Sequence, residues 1–292
     1  FDSVVDTLVT RGVVNGRRRF RLYARLTGAD RQIRWGSYEL VTGTSWGEIL
    51  ETLTMGRVVT SEMTIPEGFS ISDMVARVAE TVERPADTVR ARLTDPDAHL
   101  RWDLPGPGLE GYLSPDTYRF APGVALDVVI ETMVERYRAA WTAARITRLE
   151  ELDMSENELV TLASIIQAEA RRVEEMPTIS AVYHNRLRRG MRLQADPTVL
   201  YALGERRERL LYTAIDSVAD NPYNTYTQRG LPPGPIAAPG EAAIHAALYP
   251  TEEGYLYFVA RPDGRHIFTY SLEEHNRARE VARSEQNAAA RP

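Results

Sequence analysis

The segment Leu159-Val-Thr-Leu-Ala-Ser-Ile-Ile-Gln-Ala-Glu-Ala170 organises the rest of the sequence. It predicts one amphipathic helix, opened by Ser155 with Glu158 three residues on, which is the pattern of a capping box. One apolar stripe at helical spacing is expected to face the core: Leu159, Leu162, Ala163, Ile166 and Ala170. Gln167 lies about 80° from the start of the stripe, on the flank where a polar group can face a cleft.

The composition bounds the class of protein. The chain has 292 residues, 43% of them hydrophobic and 26% charged, which is typical of a soluble globular protein with two or three domains. The net charge of -6 without a basic block argues against a nucleic-acid groove. No apolar run approaches the roughly 20 residues of a membrane span, and no signal peptide is visible. The sequence begins abruptly at Phe1, which is compatible with an anchor upstream of it.

Two residue types are absent from the sequence. The chain has no cysteine, which excludes disulfides, thiolate zinc sites and cysteine nucleophiles and is compatible with an extracytoplasmic location. All 35 basic residues are arginine. Pyridoxal-phosphate enzymes and P-loop proteins both need a lysine, so both classes are excluded. The five histidines show no metal-binding spacing, and His266 and His275 are interpreted as structural or substrate-facing. No cofactor and no metal site are expected.

A unit repeats in the first quarter of the chain. Segments that start at Gly36 and Met63 each read as a short strand, a glycine turn and a helix capped by Ser45 or Ser70. Ser3 and Asp6 repeat the cap. The pattern resembles the LysM-like βααβ module, and either glycan binding or a spacer role is open for it. Trp35 and Trp46 are candidates to stack on sugars or to lie in the core.

Further elements follow in order. Residues 70–94 read as two helices, the second after Pro85, and 98–107 as a connector and hinge. Pro115-Asp116 reads as a turn, followed by a long helix over about 126–145. A helix over about 178–189 ends at Gly190, and Pro197 starts another. Residues 230–240 hold four prolines and three glycines and form a rigid extended loop. A hairpin over 255–269 and a helix capped by Ser271 with Glu274 complete the chain.

The sequence resembles the MltG/YceG-like endolytic murein transglycosylases from about residue 109 to residue 276. Five segments carry the resemblance in order: LEGYLSPDTY from Leu109, ASIIQAE from Ala163, NRLRRGMRLQADPTVLYALG from Asn185, NPYNTYTQRGLPPGPIAAPG from Asn221 and YLYFVARPDGRHIFTYSLEEHN from Tyr255. The resemblance implies an enzyme that cuts nascent peptidoglycan strands internally and limits their length. It also implies one N-terminal anchor in the bacterial cytoplasmic membrane, an extracytoplasmic catalytic domain and peptidoglycan synthases as partners.

Gln167 departs from the family pattern, because the resemblance places the catalytic glutamate at this position. One carboxyl would protonate the oxygen between MurNAc and GlcNAc and then take the proton of the MurNAc 6-hydroxyl, closing a 1,6-anhydro ring. Glutamine can bind glycan but has no titratable proton, so the chain is expected to be inactive at this residue. An engineered variant, a natural pseudoenzyme and a purely structural position are the three interpretations. Glu169 lies about 200° around the helix and is not expected to fill the same position.

Other candidate substrate-binding residues are assigned by position in the matched segments: Glu110, Asn185, Arg186, Gln194, Asp196, Tyr223, Asn224 and Tyr226. For each of them, loop scaffolding or an ion pair is the competing interpretation. Two other functions stay open. A muramidase would activate water with a second carboxylate, for which Asp196 is the candidate, and its product would be one water heavier. A non-catalytic glycan-binding or cell-wall scaffold protein would bind strands without cutting them.

The predicted fold class is α+β, with small LysM-like βααβ modules followed by a mostly helical catalytic domain with a short antiparallel sheet. The predicted domains are 1–62, an N-terminal LysM-like module cut off after its anchor, 63–108, a second LysM-like half with the connector, and 109–292, the catalytic domain.

Overall fold

The computed structural model describes residues 1–34, 38, 40–55, 60–204 and 210–289. The first part contains α1 (Asp2–Thr10), α2 (Arg17–Leu26), a 3-10 turn (Ala29–Arg31) and α3 (Trp46–Met55). They enclose an apolar cluster built around Val5, Phe20 and Ile49. Trp46 packs edge-on against Phe20, with 5.7 Å between ring centroids, so this half-buried tryptophan packs against the cluster.

Two predictions for this part have different outcomes. The predicted cap at Ser3 is wrong, because α1 already begins at Asp2 and its first position has no side-chain cap. The cap at Ser45 is confirmed, since its hydroxyl accepts the Glu48 N–H at 3.3 Å. The strand predicted from Gly36, and Trp35 before it, lie largely outside the described residues, so the LysM-like character stays a prediction.

The second part begins with β1 (Ser61–Ile65), α4 (Ile71–Val82), α5 (Ala86–Leu93) and α6 (Ala98–Arg101). The predicted capping box of Ser70 with Asp73 is present at the start of α4. β1 pairs antiparallel with β2 (Asp116–Phe120), with Met63 opposite Tyr118. The turn predicted at Pro115-Asp116 is therefore wrong at its second residue: Asp116 opens a strand, and its carboxylate accepts a hydrogen bond from Arg136 at 2.7 Å.

The long helix predicted over 126–145 is two helices, α7 (Leu126–Ala139) and α8 (Ala143–Glu151). Thr142 has extended backbone angles, and its hydroxyl accepts the N–H of Arg145. A hydroxyl side chain at this position starts a new helix instead of continuing the old one.

The chain continues with α9 (Glu156–Glu169) and four further helices. These are α10 (Met176–Arg188), entered through a 3-10 turn (Val173–Glu175), α11 (Asp196–Leu203), α12 (Tyr212–Ser217) and α13 (Glu241–Leu248). α9 packs against α10, α11 and α13. The predicted hairpin is β3 (Tyr257–Ala260) with β4 (His266–Thr269), and α14 (Leu272–Ala289) follows.

The fold class is α+β, as predicted: mostly helical, with two two-stranded antiparallel sheets among the described residues. One apolar core spans Met63 to Tyr137, and a second spans Leu159 to Leu248. The predicted boundary after residue 108 thus falls inside the first core, between two strands that pair with each other. No helix in the described ranges is long and apolar enough to cross a membrane.

The proline-rich loop over 230–240 is neither helix nor strand, as predicted, although it bends at several residues; it joins the two cores. The N–H of Gly68 donates to the carbonyl of Ala238 at 2.8 Å, and the N–H of Ala238 donates to the carbonyl of Phe69 at 2.8 Å. On its other side the N–H of Ile236 donates to the hydroxyl of Ser164 in α9 at 3.1 Å. The turn before α4 and the middle of α9 are therefore held at fixed positions by the same loop.

Gly111 offers a test of this packing. Its φ of +81° is left-handed, and a Cβ placed on it would lie 2.4 Å from Cβ of Pro235. We expect Gly111→Ala to lower the free energy of unfolding by roughly 2–4 kcal/mol, because strain and overlap add. Gly230→Ala is the control, since Gly230 also has a positive φ (+79°) but open space around it. Chemical denaturation of both variants gives the comparison, and equal losses would contradict the contact with Pro235.

Candidate active site

The last turn of α9 carries polar side chains that reach the protein surface. The predicted capping box of Ser155 with Glu158 is present. All residues from Leu159 to Ile166 are buried, not only the predicted stripe. The difference arises because Val160 faces the first core while the stripe faces the second. Beyond this buried stretch, the last three helical positions, 167 to 169, reach the surface again.

Gln167 lines a cavity of about 790 Å³. Its side-chain carbonyl accepts the N–H of Gly240 at 3.0 Å, which leaves the amide NH₂ directed elsewhere. A Cβ placed on Gly68 would lie 3.6 Å from Cγ of Gln167, so the turn before α4 closes over the side chain. The wall comes from segments distant in the sequence: Glu67, Ser70, Ile71, Thr94, Pro107, Glu110, Pro197, Tyr201, Tyr223 and Ala237.

Glu110 is a buried carboxyl in this cavity. The N–H of Ile71, in the first turn of α4, donates to its two oxygens at 3.0 and 3.2 Å, and the hydroxyl of Tyr201 lies 3.3 Å from Oε2. Burial raises the pKa of Glu110 to about 8, against the lowering effect of the Ile71 N–H and the Tyr201 hydroxyl. Tyr223 lies beside Tyr201, with 4.9 Å between ring centroids. The structure thus brings Gln167, Glu110 and Tyr223 together.

Glu169 faces the other side of α9, as its position two residues after Gln167 predicts. The hydroxyl of Tyr183 in α10 donates to its Oε1 at 2.9 Å. Burial, together with the smaller effect of the nearby carboxylate of Asp196, raises the pKa of Glu169 to about 7. Tyr226 donates to Asp196 from the opposite wall. This group of side chains (Tyr183, Asp196, Tyr226 and Glu169) is named the Glu169 cluster below.

The backbone of Gln194, two residues before Asp196 of the Glu169 cluster, is strained. It has a φ of +50°, unusual for a residue with a side chain. Its N–H donates to the carbonyl of Thr225 at 3.1 Å, and its side chain is exposed. Because the next residue but one is Asp196, this backbone conformation sets the direction in which Asp196 approaches Glu169.

Three of the predicted residues hold loops in place. Asn185 donates to the carbonyls of Glu253 and Tyr255, both at 2.9 Å. Arg186 is buried, donates to the carbonyl of Leu256 at 2.6 Å and lies over the ring of Tyr257. Asn224 has no exposed surface and donates to the carbonyl of Ile215 at 2.9 Å. These contacts agree with the loop-scaffolding interpretation.

The sequence reasoning missed Glu67 and Tyr201 as cavity residues. Glu67 is exposed, and a Cβ on Gly240 would lie 2.0 Å from its carboxyl carbon, so Gly240 leaves the space that Glu67 occupies. No local signal could have shown this, because the two residues are far apart in the chain. Tyr201 follows Pro197 by one helical turn and therefore projects from the same side of α11.

The histidines have structural partners. His266 Nδ1 lies 2.8 Å from Oε2 of Glu175, and the ring of His275 stacks on Tyr257 at 5.2 Å. Within the described ranges no three His, Asp or Glu side chains are grouped so that they could hold a metal ion.

The raised pKa of Glu110 predicts a pH-dependent stability. Its pKa in the folded chain, about 8, lies above the ordinary 4.5, so its contribution is fully present below about pH 4.5 and lost as pH rises through 8. Relative to Glu110→Gln, the original chain should lose stability between pH 5 and 8, by at most about 1.4 kcal/mol per pH unit. Urea unfolding at several pH values measures this. Glu131→Gln, at an exposed position, is the control, and parallel pH curves for the chain and Glu110→Gln would contradict a buried carboxyl.

Comparison with known proteins gives consistent results. Residues 1–281 match the model of the YceG-like family. An endolytic murein transglycosylase of Bacillus subtilis (strain 168) is 33% identical over 98% of this chain and 82% of its own length. The endolytic murein transglycosylase of Streptococcus pneumoniae (strain D39) is 28% identical over 94% of this chain, which spans 55% of that relative.

A solved structure agrees with the sequence matches. The crystal structure of a YceG-like protein from Listeria monocytogenes superposes with a TM-score of 0.68 at 32% identity and covers 94% of both chains. Family model, relatives and structure all extend over nearly the whole sequence. The chain described here belongs to the YceG-like family.

Proposed function

We propose that this chain acts on the glycan strands of peptidoglycan as an endolytic lytic transglycosylase. It would break the bond between MurNAc and GlcNAc inside the strand, form 1,6-anhydroMurNAc and so limit strand length. The names of the relatives and the family match support the substrate and the reaction class. The cavity beside α9, with its tyrosine rings and its hydrogen-bonding side chains, supports binding of a sugar.

The reaction requires one carboxyl to donate a proton and then to accept one. As the bond from C1 of MurNAc to the bridging oxygen breaks, that oxygen receives a proton and leaves with GlcNAc. The 6-hydroxyl of the same MurNAc then bonds to C1 and gives up its proton. The carboxyl ends as it began, and water takes no part. A pKa near the working pH suits both transfers, and such catalysis contributes about 10²–10⁴-fold.

The environment of Glu169 is the observation that supports this proposal. It is half-buried and is held by the Tyr183 hydroxyl. Burial and the neighbouring Asp196 hold its pKa at about 7, so both protonation states are populated near neutrality. It belongs to the ASIIQAE segment that carries the family resemblance. It lies two residues after position 167, where the resemblance places the catalytic glutamate. Its partners Asp196 and Tyr226 are among the residues predicted for the site.

Gln167 has a different role in this proposal. Its carbonyl accepts the Gly240 N–H, and an amide has no titratable proton, so Gln167 binds substrate in the cavity that it lines and transfers no proton. The competing proposal keeps catalysis at position 167. Under it the chain is an inactive form that binds strands without cutting them, whether engineered or natural, and a glutamate at 167 would make it active.

Two substitutions separate these proposals. We expect Glu169→Gln to lower strand cleavage by about 10²–10⁴-fold, the contribution of general acid-base catalysis. We expect Gln167→Glu to produce no comparable gain. Release of fragments from isolated glycan strands, followed by mass spectrometry, is the measurement, and Glu131→Gln is the matched control. An inactive original chain that Gln167→Glu activates would instead support the inactive-form proposal. If neither form cut while both bound strands, the chain would be a glycan-binding scaffold protein.

The pKa of Glu169 predicts the pH profile. The free enzyme must hold the proton before it can donate it, so kcat/KM should be level below about pH 7 and fall towards tenfold per unit above it. Strand binding by Glu110→Gln, which lacks the cavity carboxyl that titrates near pH 8, should stay level over the same pH range and serves as the control. A fall that begins at pH 4 to 5 would point to a carboxyl in an ordinary environment and exclude Glu169.

A muramidase is the second candidate function. Asp196 is exposed and is close enough to Glu169 to raise its pKa, and a second carboxylate of this kind can activate water. The same mass spectra decide, because the hydrolytic product is one water heavier than the anhydro product.

The proposed setting follows from the family resemblance. We place the catalytic part on the outer side of the bacterial cytoplasmic membrane, held by one N-terminal anchor, with nascent strands as substrate and peptidoglycan synthases as partners. Cross-linking in cells with an intact anchor is the direct measurement of these partners.

A further inference from the structure

The outer face of α2 carries an unusual combination of side chains. Phe20 and Ala24 are fully buried and fix the inner face of the helix. At 100° per residue, Leu22 lies about 200° from Phe20 and therefore at the centre of the opposite face. Five side chains share this surface, named here the α2 outer face: Arg18, Arg19, Leu22, Arg25 and Leu26.

The two leucines are strongly exposed. Leu22 has 60% and Leu26 78% of its surface accessible, and they are neighbours one helical turn apart. Arg18 and Arg25 lie on one side of this pair and Arg19 on the other. A basic helix face with an apolar centre is the pattern of helices that lie in a membrane interface.

The arginines of α2 form two groups, one that faces α1 and one on the outer face. Arg17 and Arg21, which turn towards α1, form ion pairs with Asp6 and Asp2. Arg18, Arg19 and Arg25 of the outer face have no acidic partner within the part of the chain that the structure describes. Residues 1–34 contain eight arginines and three aspartates, a charge of +5 in a chain of net charge -6. Three of these eight arginines share one surface with the two exposed leucines.

We propose that the α2 outer face binds the surface of an anionic phospholipid bilayer. The three guanidinium groups contact lipid phosphates, and Leu22 and Leu26 enter the boundary between headgroups and acyl chains. The alkyl parts of the arginines cover apolar surface while their charged ends stay in water. A soluble polyanion would match the charge but would leave the leucines exposed, so the pattern favours lipid. The proposal is independent of the cleavage reaction.

Vesicle sedimentation tests the charge contribution. The chain should bind vesicles of phosphatidylcholine mixed with phosphatidylglycerol and should not bind phosphatidylcholine alone. Replacing Arg18, Arg19 and Arg25 by Gln should weaken binding about a hundredfold, since each charge near such a surface contributes about fivefold. The matched control replaces Arg84, Arg90 and Arg189 by Gln, which removes the same charge from exposed positions elsewhere. Equal losses in the two triple variants would overturn the proposal.

A second measurement tests insertion of the leucines. Leu22→Gln with Leu26→Gln should weaken binding at least tenfold. Unchanged binding would mean that the face recognises a polyanion and not a bilayer. Because the chain has no cysteine, Leu22→Cys carries one environment-sensitive dye, whose emission should shift to the blue on anionic vesicles. Arg84→Cys carries the same dye as the control. No shift at position 22 on vesicles that bind the protein would also overturn the proposal.

Discussion

Burial of α9 on two opposite sides is the constraint from which the site follows. A helix that packs against both cores has no free face along most of its length, so its polar groups must emerge where the helix ends. The capping box fixes the start, and Ala170 with an extended backbone fixes the end. The two polar side chains of the last turn then point in opposite directions. One enters the cavity with Glu110, and the other enters the Glu169 cluster. Small changes in the packing of α9 would therefore move both sites together.

The separation of these two side chains divides their chemistry. Gln167 accepts a backbone N–H in the cavity that Glu110 and Tyr223 also line, which suits recognition. Glu169 sits beside a second carboxyl and a tyrosine hydroxyl, which shifts its titration towards neutrality. Ala168 between them is exposed and lines the cavity.

Local patterns in the sequence predicted the local structure. The capping boxes at Ser70 and Ser155, the stop at Gly190, the proline-rich loop and the final hairpin each depend on neighbouring residues and could be read from them. The break between α7 and α8 depends on one hydroxyl at Thr142, which the apolar pattern around it conceals. The full burial of α9 could not be predicted, because the second apolar side of the helix contains Thr161 and Ser164. Their hydroxyls look solvent-facing in the sequence, whereas the hydroxyl of Ser164 is bonded to the carbonyl of Thr161 and the N–H of Ile236. Glu67 and Glu110 meet Gln167 only through the tertiary fold, so their place in the cavity had no local signal.

The pairing of β1 with β2 bears on how the protein can be divided. A fragment that begins at residue 109 would keep every segment that carries the family resemblance. It would nevertheless lose the only partner strand that β2 has among the described residues, as well as the turn that closes over Gln167 and the N–H that holds Glu110. The exposed edge of β2 would be open to pairing with other molecules. The smallest fragment that keeps the complete cavity therefore begins at β1. Chimeras between relatives should be joined in the segment between α3 and β1.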